Sequence, residues 1–163
     1  MIGLVNWLSA CMSIVTMSCF GRRTLLLFGH SGIFITYVLL GIFTIQGNDM
    51  GVLVMMCVFL LIYQNTSGPV TWAYAAETCC DVSLGVALLS LYSTIFVLNL
   101  TTEPLMHSPL GQQGVFFLFA GCSFVAVFFM WKFVPETKGL TDAEKKRLFY
   151  PGSKWGPKVV EGE

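Results

Sequence analysis

Apolar residues run along this chain in five long blocks, at about 1–20, 24–45, 51–74, 83–106 and 114–134. As a helix, about 20 mostly apolar residues cross the hydrocarbon of a bilayer, and each block has that length. The interruptions are short and polar. They are Gly21-Arg22-Arg23, Gln46-Gly47-Asn48-Asp49, Glu77 to Asp81, and His107 to Gln113 with Pro109 and Gly111. Links this short force neighbouring helices to run antiparallel. The blocks are too long for strands, and they lack the charged face of a soluble bundle. A helix also satisfies its own backbone polar groups in lipid. The pattern predicts an all-α, polytopic transmembrane helical bundle of about five spans over residues 1–134, with a polar tail over 135–163.

The first block does not read as a cleavable signal peptide. It has no basic start, and no small-residue cleavage site follows it. In the tail, Thr141-Asp142-Ala143-Glu144 fits a capping box. A short helix near 142–149 is expected to follow, ended by Pro151-Gly152. Ser153 to Glu163 is expected to hold no fixed structure.

Composition sharpens this picture. The 163 residues are 55% hydrophobic and only 11% charged. A soluble domain carries about 25% charged residues, so lipid is the expected solvent and the bilayer the first partner. The net charge is zero, and no basic patch with interleaved aromatics suggests nucleic acid. If the spans alternate, all nine basic residues fall on one side: in the 21–23 link, in the tail and, for Lys132, at the end of the last block. That side is then cytoplasmic, and Arg22-Arg23 in a tiny loop is the stronger witness. The expectation is an integral, multi-pass protein with its tail in the cytoplasm and its N-terminus outside. The plasma membrane is its default location.

Polar residues inside the blocks carry the candidate chemistry. Gln64-Asn65-Thr66-Ser67 precede Gly68-Pro69 in the third block. The proline removes a backbone hydrogen bond, which marks Gly68 and Pro69 as a hinge. Amides and freed carbonyls at mid-membrane either contact a substrate in a wet cavity or clamp helices together. Trp72 fits stacking on the apolar face of a sugar, or an interfacial belt position. Asn6 and Asn99 are single amides, open to packing or to ligand contact. Glycosylation patterns at Asn65 and Asn99 lie inside spans and read as false. Arg22, Arg23, Glu77, Asp81 and Glu136 gather at helix ends on one side, as a latch or as solvated loop charge.

Other chemistry is thin. The six cysteines match no zinc spacing and read as apolar packing residues. His30 and His107 read as polar residues at a helix end or in a loop, not as metal ligands. No nucleophile–base pair or phosphate loop is present, so neither an enzyme nor a cofactor is expected.

Three motifs together resemble the sugar porter family of the major facilitator superfamily. Gly21-Arg22-Arg23 resembles its G-R-R signature between helices eight and nine. Gly68-Pro69-Val70-Thr71-Trp72 with Glu77 resembles its tenth-helix pattern. Pro135-Glu136-Thr137-Lys138-Gly139 is identical to its motif after helix twelve. The resemblance covers roughly residues 1–145 and implies helices eight to twelve. It implies that Asn6, Gln64, Trp72 and Asn99 line the sugar cavity; Asn65, in the same polar run as Gln64, is a further candidate from the residues themselves. It also implies that Arg22, Arg23, Glu77 and Glu136 form a salt-bridge network that breaks on opening inward. Two positions depart from the family. Ser18 stands where an acidic residue is usual, and Thr71 where a second proline is usual. Nothing matches the first seven helices of the family.

The implied function is hexose-type transport by alternating access, as the C-terminal part of a sugar porter. A monosaccharide is then the substrate. A second possibility is a non-transporting half-bundle that acts through another porter chain, or through the missing N-terminal bundle, or as a sugar sensor. A third is a truncated piece of a longer chain.

Overall fold

The structure, a computed structural model, describes residues 20–140 throughout, the side chain of Asp81 excepted. Beyond that stretch it describes residues 3, 7, 9, 11–13, 16, 17, 144, 145 and 148. Asn6, Ser18, the capping box at 141–143 and most of the expected tail helix lie outside the described residues. Among the described residues, all regular structure is helical. The described residues from 3 to 17 are helical, on the first apolar block.

Five further helices follow: α1 (Arg22–Ile45), α2 (Asp49–Asn65), α3 (Ser67–Thr78), α4 (Asp81–Met106) and α5 (Gly111–Phe133). Their ends follow local chemistry. After Ile45, Gly47 takes a positive φ of 66°. Its N–H donates to Thr44, while the Asn48 N–H donates to Phe43. That pair of bonds is a Schellman close, which favours glycine at the left-handed position. Asn48 then caps α2, its side chain accepting from the Gly51 N–H at 3.0 Å. Asp49 adds a negative charge to the first turn, where the helix dipole favours it.

The third apolar block is two helices, not one. Thr66 breaks it with φ −125° and ψ −72°. Pro69 has no N–H to give the Asn65 carbonyl, and its ring crowds that carbonyl. Beyond the break the alanine-rich stretch keeps its helical form through Thr78. Glu77 therefore sits in the last turn of α3 instead of in the following link.

Among the described residues, four spans are long and apolar enough to cross a membrane: Arg22–Ile45, Asp49–Thr78 taken through its break, Val82–Met106 and Gly111–Phe133. α1 is the central one, with 39% of its apolar window buried, against none for α4. It packs most extensively on α5, then on α2. Small residues permit this. A Cβ on Gly41 would come within 2.8 Å of the Phe117 ring. Close backbone approach of this kind holds helices together where lipid supplies no hydrophobic drive. Aromatic contacts extend the seam, with Tyr37 centred 5.3 Å from Phe59 and 5.8 Å from Phe119. α4 leans chiefly on α5, and its residues 91–100 are all exposed.

Candidate functional site

Two features stand out, a charged cluster at one end of the bundle and a cleft beside the helix break. The cluster is built on Glu77. Arg22, the first residue of α1, places Nη2 2.9 Å from Glu77 Oε1. Thr137 donates its hydroxyl to Oε2 at 3.3 Å, and Lys145 Nζ lies 3.5 Å from the same oxygen. The Arg22 and Glu77 side chains are 25% and 18% exposed, so salt screens this pair less than an open surface pair.

The other two expected network members are placed differently. Glu136 accepts the backbone N–H groups of Thr137 and Lys138 at 3.0 Å each. Its carboxylate lies against Gly21, where any Cβ would collide with it. Arg23 donates from Nη2 to the Trp131 carbonyl at 2.8 Å, capping the C-terminal turn of α5. Among the described residues, then, the structure joins Arg22 to Glu77 but pairs neither Arg23 nor Glu136 with an opposite charge.

The cleft has a volume of about 500 Å³. α3 and α4 form its main walls, with His30 from α1 and Tyr63 from α2. Ser67, Thr71, Trp72 and Tyr92 line it among several aliphatic residues. An apolar and aromatic wall with a few polar groups is the usual make-up of a small-molecule site. Trp72 is 44% exposed, so its ring is open to a guest.

The hinge residue Gly68 is on the cleft wall, and Pro69 follows it in the first turn of α3. Of the expected ligand residues, Trp72 alone is on that wall; Gln64, Asn65 and Asn99 are not. Asn65 donates its amide to the Leu61 carbonyl and Asn99 to the Ile95 carbonyl, each at 2.9 Å. These amides find an acceptor within their own helices, a competing option for any polar residue on a helix in lipid.

Sequence reasoning passed over His30. It lies inside α1, not at a helix end or in a loop, and its Nδ1 is 3.0 Å from Ser67 Oγ. The signal available was the spacing Gly29-His30-Ser31-Gly32, with two small residues on one helix. A Cβ on Gly29 would strike the Thr66 and Ser67 side chains, so the α1 backbone meets the side chains of the helix break here. Lys145 and Thr137 were also missed, because their contacts with Glu77 are tertiary.

Long apolar helices, one broken beside an aromatic-walled cleft, define an integral, multi-pass membrane protein of transporter architecture. The chain belongs to the family described as "Sugar (and other) transporter", which matches residues 1–149. Sugar transport protein 11 of Arabidopsis thaliana is 29% identical, over 94% of this chain and 33% of its own length. Facilitated glucose transporter protein 1 of Caenorhabditis elegans is 33% identical, over 84% of this chain and 29% of its own length. Among solved structures, the inward-open xylose transporter XylE from E. coli matches with a TM-score of 0.76 at 28% identity. That match covers 90% of this chain and 34% of the xylose transporter. The chain thus spans about a third of the length of the relatives it matches.

Proposed function

We propose that this chain is the C-terminal part of a sugar porter, helices eight to twelve, and that the whole moves a hexose-type monosaccharide by alternating access. The observation that carries the reading is the cleft. Its open indole offers a flat apolar face for a sugar ring, and it adjoins a helix broken at mid-length. A broken helix beside a cavity is how many transporters build a substrate site. No bond is made or cut in this activity. Arg22 and Glu77, joined across two helices, act as one half of a latch that opens as the bundle rocks. Arg23 and Glu136 support it by fixing the end of α5 and the turn at Gly21. Gln64, Asn65 and Asn99 turn toward the sugar in other states, and Asn6 joins them from the first span. The basic end faces the cytoplasm, the N-terminus lies outside, and the plasma membrane is the site of action.

A second reading is favoured by α4. Its apolar window is unburied, and it carries the amide of Asn99 on an exposed surface. A polar group there is costly against lipid and favours a neighbouring helix. In this reading the chain works only beside an N-terminal bundle or another porter chain.

The test is a chimera. This segment replaces the matching third of the xylose transporter, and uptake of labelled D-xylose and D-glucose is measured in proteoliposomes. Saturable uptake by the chimera, lost on Trp72→Ala, is expected. The chain alone is expected to give none. A correctly inserted chimera that carries no sugar while its parent does overturns the transport reading.

A further inference from the structure

We propose that His30 is a ligand-contacting residue of the cleft, a hydrogen-bond acceptor for one hydroxyl group of the bound sugar. The assignment rests on the transport reading above, and adds to it a residue from α1.

The orientation of the ring follows from its partners. Nδ1 lies 3.1 Å from the Leu26 carbonyl oxygen, which can only accept. We place the proton on Nδ1, because a bare Nδ1 would leave its contact with this carbonyl without a hydrogen. Ser67 Oγ, 3.0 Å from the same nitrogen, shares that proton as a second acceptor. In the neutral ring Nε2 is then a bare lone pair, an acceptor and nothing else. Among the described residues Nε2 has no hydrogen-bond partner. With the Nδ1 edge turned to the backbone of α1 and to the break, the Nε2 edge is what remains for the cleft that His30 lines.

The break fixes this placement. Gly29 brings the α1 backbone against Thr66 and Ser67, and Ser67 is 3% exposed. Thr71, the next hydroxyl on the wall, donates to the Ser67 carbonyl at 2.6 Å and keeps only lone pairs for the cleft. A sugar hydroxyl brings a proton to give, and the imidazole Nε2 is the stronger acceptor of the two. Trp72 supplies an apolar face and no acceptor, so the two residues do different work. A site that loses its hydroxyl partner is left with an unpaired polar atom, which is a strong source of discrimination. His30 is thereby a specificity-determining residue for hydroxylated ligands over their deoxy analogues.

The chain has two histidines, so nitrogen signals from a histidine-labelled sample are few and assignable, with His107 as the internal control. The chain is purified with any chain that accompanies it and placed in nanodiscs. D-glucose is then titrated, with tryptophan fluorescence and histidine 15N shifts read in parallel. The expected result is a His30 ring protonated at Nδ1 whose Nε2 signal moves upfield as the fluorescence change saturates. His107 stays fixed. His30→Phe is expected to weaken glucose affinity about three- to tenfold, the range of one lost hydrogen bond, and His30→Gln to recover most of it. The shift measurement needs no variant, so a misfolded mutant does not spoil it. A saturable fluorescence response with an unmoved His30, or a ring protonated at Nε2, overturns the assignment and leaves the transport reading intact. Absence of both responses overturns both.

Discussion

Arg22 and Glu77 meet at 2.9 Å across 55 residues of chain, tying the start of α1 to the end of α3. Glu77 also accepts from Thr137 and faces Lys145, so one carboxylate gathers two helices and the segment after α5. A double-mutant cycle on Arg22→Ala and Glu77→Ala should give a coupling of about 1 kcal/mol, above the usual value for exposed pairs. The measurement is the midpoint of unfolding in mixed detergent. Additive losses would show that the pair holds nothing. Lys145→Ala should cost less than Arg22→Ala, because its separation from the carboxylate is longer.

Glycines at the contacts should tolerate no methyl group. At Gly29 an added Cβ meets Thr66 and Ser67, and at Gly21 it meets the Glu136 carboxylate. Alanine at Gly29 should destabilise by about 1–3 kcal/mol, the usual cost of overpacking, and alanine at Gly21 by less, because the Glu136 carboxylate can swing aside. Gly85 and Gly121 have open space around them. Alanine there should be neutral or slightly stabilising by helix propensity. Thermal stability in detergent distinguishes the two groups, and equal losses in all four variants would contradict the packing described.

Accessibility should follow the cleft wall. In a cysteine-free background, cysteines placed at Thr71 and Tyr92, both on that wall, should react quickly with a charged thiol reagent. A cysteine at Asn65, which is off that wall, should react more slowly. Added D-glucose should protect the first two. If Asn65 is instead the fastest site and the only one protected, the polar face of α2 is the sugar path and the cleft is not.

Cys80 provides a marker for orientation. It lies in the link between α3 and α4, exposed, with its sulfur 2.7 Å from Ser83 Oγ. That hydrogen bond holds the thiol below its ordinary pKa. More thiolate is then present near neutral pH, and alkylation follows thiolate. The alkylation rate should reach its half-maximum at a lower pH than for a free thiol, and Ser83→Ala should move the midpoint upward. With the basic end in the cytoplasm, an impermeant maleimide should label Cys80 only in inside-out vesicles. Labelling in intact cells would reverse the proposed topology.

Much of the fold was legible because lipid imposes length. Apolar blocks of about 20 residues announce helices whatever packs against them, and the four spans within the described region follow. The helix break was legible at Pro69, since a missing N–H is a local fact. Asn48 and Gly47 were read only as link residues, yet cap and turn chemistry made that join as readable as the break. Other features depended on partners far along the chain. Glu77 read as a latch residue but was placed in the link, because alanine-driven extension of α3 competes with the polar signal. Asn65 and Asn99 read as cavity residues because an amide in lipid needs a partner, but the sequence does not say whether that partner is a sugar or the carbonyl four residues back. His30 was discounted because an isolated histidine carries no pattern. Its role depends on Ser67, 37 positions away, reached only when Gly29 lets the α1 backbone close on the Thr66 and Ser67 side chains.

The one-sided seating of α4 sets an order of events at the ribosome. Val82–Met106 leaves the translocon before α5, its principal neighbour, has been synthesised. Until Gly111–Phe133 follows, the newborn helix lacks its main packing partner. Maturation of this segment therefore turns on how promptly the final hairpin is completed.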